Sequence, residues 1–160
     1  MTTLRLMSED EFTAWRDHAI PSYAKDKVMS GQWSAAESLE LAMRSFDALL
    51  PQGMATPDHH FYTIIDEHLL PVGTLWFAVK HSQGTRTAYV FDVNIFPEHQ
   101  RKGHAFRAFQ WLEREAVALN LSGISLHVFG HNRAAQALYA KLGFEPTNIN
   151  LIKRVSPAKI

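Results

Sequence analysis

The sequence predicts an α/β fold in which helices flank a mixed β-sheet, with the element order β-α-α-β-β-β-α-β-α-β(β). Three stretches between residues 61 and 96 alternate or run apolar and are joined by short turns, which predicts antiparallel neighbours. A strand–helix–strand unit follows over residues 88–129, and such a crossover predicts a parallel pair. Antiparallel and parallel pairs in one chain together give a mixed sheet.

The N-terminal part predicts one strand and two helices. Leucines alternate with polar neighbours over Thr2–Met7, which is typical of a short strand. Ser8–Glu11 has the pattern of a capping box and opens a first helix, which Pro21 should kink or end. A second capping box at Ser34–Glu37 opens the next helix, and this helix should end at Pro51.

The remaining elements follow from apolar periodicity and from glycine and proline positions. Strands are predicted at Phe61–Asp66, Leu69–Val79, Ala88–Phe96 and Gly123–Phe129, and a final strand pair at Phe144–Val155. A helix starts near Lys102 and ends near Asn120, and a second covers Asn132–Leu142 with Gly143 closing it.

Composition excludes several classes of function. The chain has 160 residues, no cysteine, and 16 basic against 16 acidic residues, so its formal net charge is zero. A neutral balance argues against a general nucleic-acid or anionic-membrane binder, and the missing thiols exclude disulfides and cysteine nucleophiles. No apolar run is long enough for a membrane span, and the N-terminus lacks the apolar stretch of a signal peptide. We therefore expect a cytoplasmic protein with a single domain over residues 1–160.

A loop between the predicted strand 88–96 and the following helix has the features of an anion site. It reads Gln100-Arg101-Lys102-Gly103-His104-Ala105, a Q-x-x-G-x-A run. Gly103 and a small alanine allow close backbone approach, and the first helical turn leaves N–H groups without partners. These donors and the helix dipole suit a pyrophosphate, and Arg107 adds charge beside them. Considered alone, the same run also fits an ordinary strand–helix joint.

A second and more specific motif lies about thirty residues further on. Residues 132–144 read N-x-x-A-x-x-L-Y-x-K-x-G-F. Together and in this order, the two motifs resemble the GNAT superfamily of acetyl-CoA-dependent N-acetyltransferases. The resemblance implies a GNAT-like fold with a coenzyme A core over residues 88–144 and acceptor-side helices and loops within residues 1–60. It also implies transfer of an acetyl group from acetyl-CoA to a primary amine by direct attack without an acyl-enzyme, and a possible homodimer.

The resemblance also assigns cofactor contacts to particular positions. Backbone groups of the strand end would bind the pantetheine arm, and the glycine loop would bind the pyrophosphate. The implied cofactor-binding residues are Val93, Asn94, Ile95, Gln100, Arg101, Lys102, Gly103, His104, Ala105, Phe106, Asn132 and Tyr139.

Tyr139 is the candidate general acid. In the family, the tyrosine at this position lies near the coenzyme sulfur and can protonate the departing thiolate. An ordinary tyrosine pKa of about 10 keeps the phenol protonated at neutral pH, which suits an acid. The alternative is a helix tyrosine packed against the core. Asn132 has two compatible interpretations, as a cofactor contact and as a helix N-cap.

Asp92 is the candidate catalytic carboxylate. Strict alternation along the strand places it on the same face as Val90, within an apolar stretch, so it must be partnered or have its ionisation disfavoured. Many family members carry a glutamate on this strand that relays the amine proton through water, and the shorter Asp92 departs from that pattern. A catalytic or substrate-binding role and a structural hydrogen bond both remain open.

Other side chains suggest less specific roles. His127 could serve as a base or be a core histidine, and the neighbouring His59 and His60 should point to opposite faces of a strand. No metal site is expected. Four aromatic side chains could line an acceptor pocket or pack in the core: Trp15, Tyr23, Trp33 and Trp76.

The acceptor wall should come from the N-terminal helices and two loops, Tyr23–Trp33 and Met54–Asp58. The sequence does not select among acceptor amines, which could belong to a small molecule or a peptide. A non-catalytic acyl-CoA-binding sensor and a nucleotide-binding protein are the alternative functions, although the glycine loop lacks the G-x-x-x-x-G-K-[ST] pattern of the latter.

Overall fold

The structure, a computed structural model, describes residues 1–157 and confirms the α/β class with a mixed sheet. Its strands are β1 (Thr3–Leu6), β2 (His59–Ile65), β3 (Pro71–Ser82), β4 (Thr85–Ile95) and β5 (Gly123–Leu126). Its helices are α1 (Glu9–Met29), α2 (Ser38–Leu49), α3 (His104–Ala118) and α4 (Arg133–Leu142). The strands lie side by side in chain order, antiparallel from β1 to β4, and β4 pairs with β5 in parallel.

The first capping box forms as predicted and fixes α1 against β1. The Glu11 N–H donates to Ser8 Oγ over 3.2 Å, and the Ser8 N–H donates back to Glu11 Oε1 over 2.9 Å. Arg5, on β1, donates to the same carboxylate over 2.7 Å. The hydrogen bond from Arg5 is the main cause that lowers the pKa of Glu11 to about 2.

Pro21 does not end the first helix, which was one of the two outcomes predicted for it. α1 continues through Pro21 to Met29 and so includes most of the stretch Tyr23–Trp33, which was predicted to be a loop. Burial explains the difference, because Trp15, Ile20 and Ala24 on both sides of the proline pack in the core and outweigh one lost backbone hydrogen bond. α1 is the longest helix at 21 residues, and no helix within residues 1–157 is long and apolar enough to cross a membrane.

The second predicted capping box, Ser34–Glu37, is wrong. Residues 35–37 form a turn, and α2 begins at Ser38 with Glu37 as an N-cap that makes no side-chain hydrogen bond. The Ser38 hydroxyl instead donates to the carbonyl of Ala35 over 3.0 Å. The start of α2 is therefore set by this turn.

Helices cover the sheet on both faces and produce two core clusters. α1 and α2 pack on one face around Trp15, Phe46 and Trp76. α3 packs on the other face, where Phe77 and Leu112 are fully buried. β3 lies between the two clusters and is buried along most of its length, as expected of a central strand.

The predicted final strand pair at Phe144–Val155 is wrong within the described residues. After α4 and Gly143 the chain has no helix or strand up to residue 157. Four apolar side chains of this segment are largely exposed, Ile149 by 73%, Leu151 by 90%, Ile152 by 73% and Val155 by 82%. A strand needs a neighbour to satisfy its backbone groups, and in this single chain β5 remains the edge of the sheet.

Two substitutions on α3 test this account of the core. Leu112→Ala should lower the free energy of unfolding by about 2–5 kcal/mol, because Leu112 is 0% exposed and its removal leaves a cavity. Val117→Ala on the same helix should change it by less than about 0.5 kcal/mol, since Val117 is 76% exposed. Urea denaturation of both variants measures the difference, and similar losses for the two would contradict the packing described.

Candidate active site

An extra residue in β4 determines which way Asp92 points. Trp76 of β3 pairs with Asp92, but the next residue, Phe77, pairs with Val90, so Phe91 is the additional residue of a β-bulge. The predicted alternation is therefore wrong at this point. Val90 packs on the α3 face, whereas Asp92 accepts a hydrogen bond from Trp15 of α1 on the opposite face.

The same region of β4 separates from β5 and opens a cleft. Their parallel pairing covers Thr87–Val90 and Gly123–Leu126 and does not continue along β4 beyond Val90. A cleft of about 340 Å³ lies at this divergence, between α1 and α2 on one side and the residues after β5 and α4 on the other. Asp92, Asn132 and Tyr139 all line it.

Asp92 is half-buried and held by the N-terminal part of the chain. The Trp15 indole N–H donates to Asp92 Oδ2 over 3.0 Å. Burial raises the pKa of Asp92 above its ordinary value, and the Trp15 hydrogen bond opposes this without cancelling it. The carboxylate therefore has a structural partner and a place in the cleft wall.

Tyr139 projects from α4 into the cleft and is braced by two aromatic rings. Its ring centroid lies 5.5 Å from that of Phe109 on α3 and 5.5 Å from that of Phe144, both in edge-on geometry. Burial is the main cause that raises the pKa of Tyr139 to about 12, and the negative charge of Asp92 adds to it. Its hydroxyl forms no hydrogen bond with any residue in the described range.

Asn132 forms the N-cap that the sequence predicts. Its side-chain oxygen accepts from the Ala135 N–H over 3.2 Å at the start of α4. The cap places the first turn of α4 beside the cleft.

The glycine loop presents consecutive backbone donors. Gly103 is the N-cap of α3 with φ of 83°, and Arg101 also has a positive φ, of 63°. The N–H groups of residues 101–106 form no hydrogen bond to other parts of the described chain, and the first helical bond of α3 is that from Arg107 N–H to the Gly103 carbonyl, over 3.1 Å. Unpaired donors on a left-handed turn at a helix N-terminus form an anion-binding concavity.

Side chains hold this loop in place. Arg107 Nη2 donates to the Lys102 carbonyl over 2.7 Å, and Arg107 Nε donates to Thr2 Oγ1 over 2.8 Å. The positive φ of 83° favours glycine at position 103, and a Cβ there would lie 2.7 Å from Arg107 Nη1, so the arginine side chain would have to move. The Gln100 amide donates to the Ile95 carbonyl over 2.9 Å and closes the end of β4. The role of Thr2 had no signal in the sequence, because it depends on contacts across the sheet.

The strand-end residues predicted to contact the cofactor lie on the unpaired part of β4. Val93 and Ile95 pack their side chains against the α3 core, and Asn94 pairs with Thr74 of β3. The other edge of this stretch does not pair with β5. Its backbone groups therefore face the opening between the two strands.

The wall opposite α4 is aromatic and comes from α1, α2 and the sheet. The sequence left open whether four aromatic side chains line an acceptor pocket or pack in the core. Tyr23 and Trp76 line the cleft, whereas Trp15 and Trp33 pack behind them. Residues 54–58 are not part of the lining, although the sequence placed this loop in the acceptor wall. The sequence analysis did not single out several lining residues, among them Phe46, Tyr89 and Phe91, because the packing of α2 and the bulge were not foreseen. Asp26 lies within the Tyr23–Trp33 stretch, which the sequence placed in the acceptor wall.

The histidines serve separate purposes. His127 is exposed on the cleft wall, so its interpretation as a core residue is wrong. His59 Nδ1 pairs with the Trp76 indole over 2.9 Å, and His60 stacks on Phe77 at 4.8 Å. Residues 1–157 contain no group of three potential ligands that could hold a metal ion.

Comparison with known proteins decides the family. The Acetyltransferase (GNAT) family matches residues 12–144, which include both motifs and the whole cleft framework. This chain is a GNAT protein. It is 31% identical over 153 residues to the uncharacterised N-acetyltransferase YdgE of Bacillus subtilis, covering 96% of this chain and 98% of that protein. It is 30% identical over 149 residues to the uncharacterised N-acetyltransferase YycN of the same organism, covering 93% and 96%.

Solved structures agree with the GNAT assignment. The crystal structure of YycN from Bacillus subtilis superposes with a TM-score of 0.94 at 29% identity, covering 98% of this chain and 100% of that one. An acetyltransferase structure from Pyrococcus furiosus gives a TM-score of 0.63 at 20% identity and shows the shared fold alone.

The GNAT protein has groups that fit coenzyme A. Six consecutive N–H groups at residues 101–106 suit a diphosphate, and the positive φ of Gly103 forms the turn that presents them. The opening between β4 and β5 offers unpaired backbone groups to an extended amide-bearing arm. Members of the GNAT family normally use acetyl-CoA.

Replacing Asp92 tests its environment through stability. Asp92→Asn keeps an acceptor for the Trp15 N–H, whereas Asp92→Ala leaves this buried donor unpaired and should cost about 1–3 kcal/mol more. Because burial raises the folded-state pKa of Asp92, ionisation opposes folding. The stability of the wild type relative to Asp92→Asn should therefore fall as the pH rises from the ordinary aspartate pKa, about 4, through the raised folded value.

Chemical denaturation of the three proteins across this pH range measures the effect. If the free energy of unfolding of the wild type instead rises relative to that of Asp92→Asn as the pH increases, the direction of the pKa shift is wrong.

Proposed function

We propose that this protein is an N-acetyltransferase that moves an acetyl group from acetyl-CoA to a primary amine by direct attack, with no acyl-enzyme. The observation that supports this proposal most strongly is the cleft between the diverging strands β4 and β5. Both the Asp92 carboxylate and the Tyr139 phenol line this cleft. An acid, a carboxylate and an anion-binding loop are the groups that transfer from a thioester to an amine requires.

The glycine loop and the end of β4 would hold the cosubstrate. The N–H groups of residues 101–106 would bind its diphosphate, and backbone groups of residues 93–95 would bind its extended arm. Acetyl-CoA supplies an acyl group activated as a thioester. The protein holds the two reactants together, which by itself removes much of the entropic barrier of a bimolecular step.

Tyr139 would act as the general acid. The raised pKa, about 12, keeps its phenol protonated throughout the physiological range. The edge-on contacts with Phe109 and Phe144 fix the ring, so the proton is held at one position in the cleft. A thiolate leaving group at that position would receive it.

Asp92 would accept the proton that the amine must lose, through water. Its raised pKa makes it a stronger base than an ordinary aspartate, and Trp15 occupies only one of its two oxygens. His127, on the exposed wall of the same cleft, is the second candidate base.

A Tyr139→Phe variant tests both the activity and the assignment of the acid. With a panel of primary amines, the wild type should release free thiol from acetyl-CoA. The variant should lose about 10²–10⁴-fold in kcat, the range for a lost general acid. Its affinity for acetyl-CoA, measured by calorimetry, should stay within about twofold because the loop donors are unchanged.

Phe144→Leu is the matched control, since it disturbs the packing around the phenol without removing the acid. Full turnover by Tyr139→Phe would exclude Tyr139 as the acid. Tight acetyl-CoA binding by a wild type that acetylates none of the amines would favour a sensor instead of an enzyme.

We further propose that two copies associate through their C-terminal segments. Ile149, Leu151 and Val155 occupy positions that share one face of an extended strand, although Lys153 lies among them and Ile152 falls on the other face, and all four apolar side chains are exposed in the single chain. β5 is an open sheet edge, to which such a strand can pair. A second copy of the chain supplies both parts reciprocally.

Light scattering after size exclusion tests this association. The wild type should elute as a dimer at micromolar concentration, and Leu151→Asp should shift it to a monomer because a charge would enter the apolar interface. Asn150→Asp is the control for introducing an aspartate in the same segment, because Asn150 is exposed and falls on the opposite face of the strand. A monomeric wild type would exclude the dimer.

A further inference from the structure

The acceptor end of the cleft contains a second carboxylate that the proposed chemistry does not use. Asp26 lies on α1, one face of which forms the cleft wall, and Asp26 itself lines the cleft with Asp92. The two carboxylates are close enough for the charge of Asp26 to contribute to the raised pKa of Asp92. Two carboxylates therefore line the cleft between α1 and β4, with Lys27 as a basic residue of the same lining.

Nearby positive groups leave Asp26 available to a ligand. Asp26 Oδ1 lies 3.0 Å from His131 Nε2, a pair that carries opposite charges only when the histidine is protonated. Asp26 Oδ2 makes no hydrogen bond within residues 1–157. The adjacent Lys27 forms no ion pair in the described chain; its ammonium donates to Gln32 Oε1 over 2.8 Å and lies 5.3 Å from the Trp33 ring centroid.

The surface between the two carboxylates is aromatic. Phe91 stacks on Trp76 with centroids 4.4 Å apart, and Tyr89 meets Phe91 edge-on at 4.8 Å. Tyr23 faces this group from α1, and neither its hydroxyl nor that of Tyr89 has a hydrogen-bond partner among the described residues. Lys80 Nζ already lies 5.5 Å from the Tyr89 ring centroid and 5.1 Å from that of Phe91. The carboxylates therefore supply the attraction for an alkylammonium ligand, and the rings pack against its methylene groups.

We infer that the acceptor is an aliphatic diamine, with one nitrogen reacting between Asp92 and Tyr139 and the second, as an ammonium, paired with Asp26. This inference rests on the proposed acetyltransferase function. The amide C–N bond forms as the thioester C–S bond breaks. Of the two protons that the reacting ammonium loses, one replaces the proton that Tyr139 gives to sulfur and the other leaves to solvent. The second ammonium keeps its proton and takes no part in the reaction.

Matched acceptors measure the contribution of the second charge. Cadaverine and n-pentylamine have the same carbon chain and differ by the second amine. The wild type should prefer cadaverine by about two- to fivefold in kcat/KM per amine group, the upper part of the range for one partly exposed charge pair. An aminoalkanoate of matching length should be poorer than pentylamine, because its carboxylate would meet Asp26.

Asp26→Asn should reduce the preference for cadaverine over pentylamine to near one. Asp17→Asn is the matched control: Asp17 is exposed on the same helix, away from the cleft, and its replacement should leave the preference unchanged. Calorimetry with cadaverine in the presence of coenzyme A gives a readout independent of turnover, and Asp26→Asn should weaken binding by the same factor.

The outcomes separate the inference from the proposed function. Equal turnover of cadaverine and pentylamine by the wild type would overturn the inference of a diamine acceptor. A preference that Asp26→Asn does not change would do the same. Neither result would contradict the proposed acetyltransferase function. Absence of turnover with every amine would overturn the proposed function. Absence of cadaverine binding would overturn the diamine in either case.

Discussion

The β-bulge at Phe91 is the constraint on which the candidate site depends. One residue more on β4 than on β3 turns Asp92 from the α3 face of the sheet to the α1 face, where Trp15 donates to it. Pairing between β4 and β5 also stops at Val90, immediately before Phe91. In a regular strand, the Asp92 carboxylate would lie among the apolar side chains that contact α3.

The two halves of the chain contribute differently to the cleft. The C-terminal half supplies the backbone N–H groups of residues 101–106 and the phenol of Tyr139. The role of these groups depends on where the fold places them. The N-terminal half supplies side chains, among them Trp15 and Asp26, that set the charge and shape of the opposite wall. The hydrogen bond from the Trp15 indole N–H to Asp92 joins the halves.

The sequence predicted the parts of this arrangement that local pattern determines. Periodicity located the helices and strands of the sheet, and the residues around Gly103 and Tyr139 had motifs with fixed spacing. Pro21 and Asp92 were misjudged because long-range effects decided them: core packing carried α1 past the proline, and the bulge reversed the face of the aspartate. The stretch that contains Asp26 was expected in the acceptor wall, but nothing in the sequence singled out this carboxylate, since its position depends on how α1 crosses the sheet.

The bond from Arg107 to Thr2 has a consequence for the edge of the sheet. Thr2 precedes β1, an edge strand of four residues, and its hydroxyl also lies 2.9 Å from His104 Nδ1 in the first turn of α3. Fraying of β1 must therefore break contacts that fix the glycine loop. A molecule captured by the loop amides would slow hydrogen–deuterium exchange in β1, although it touches no residue of that strand.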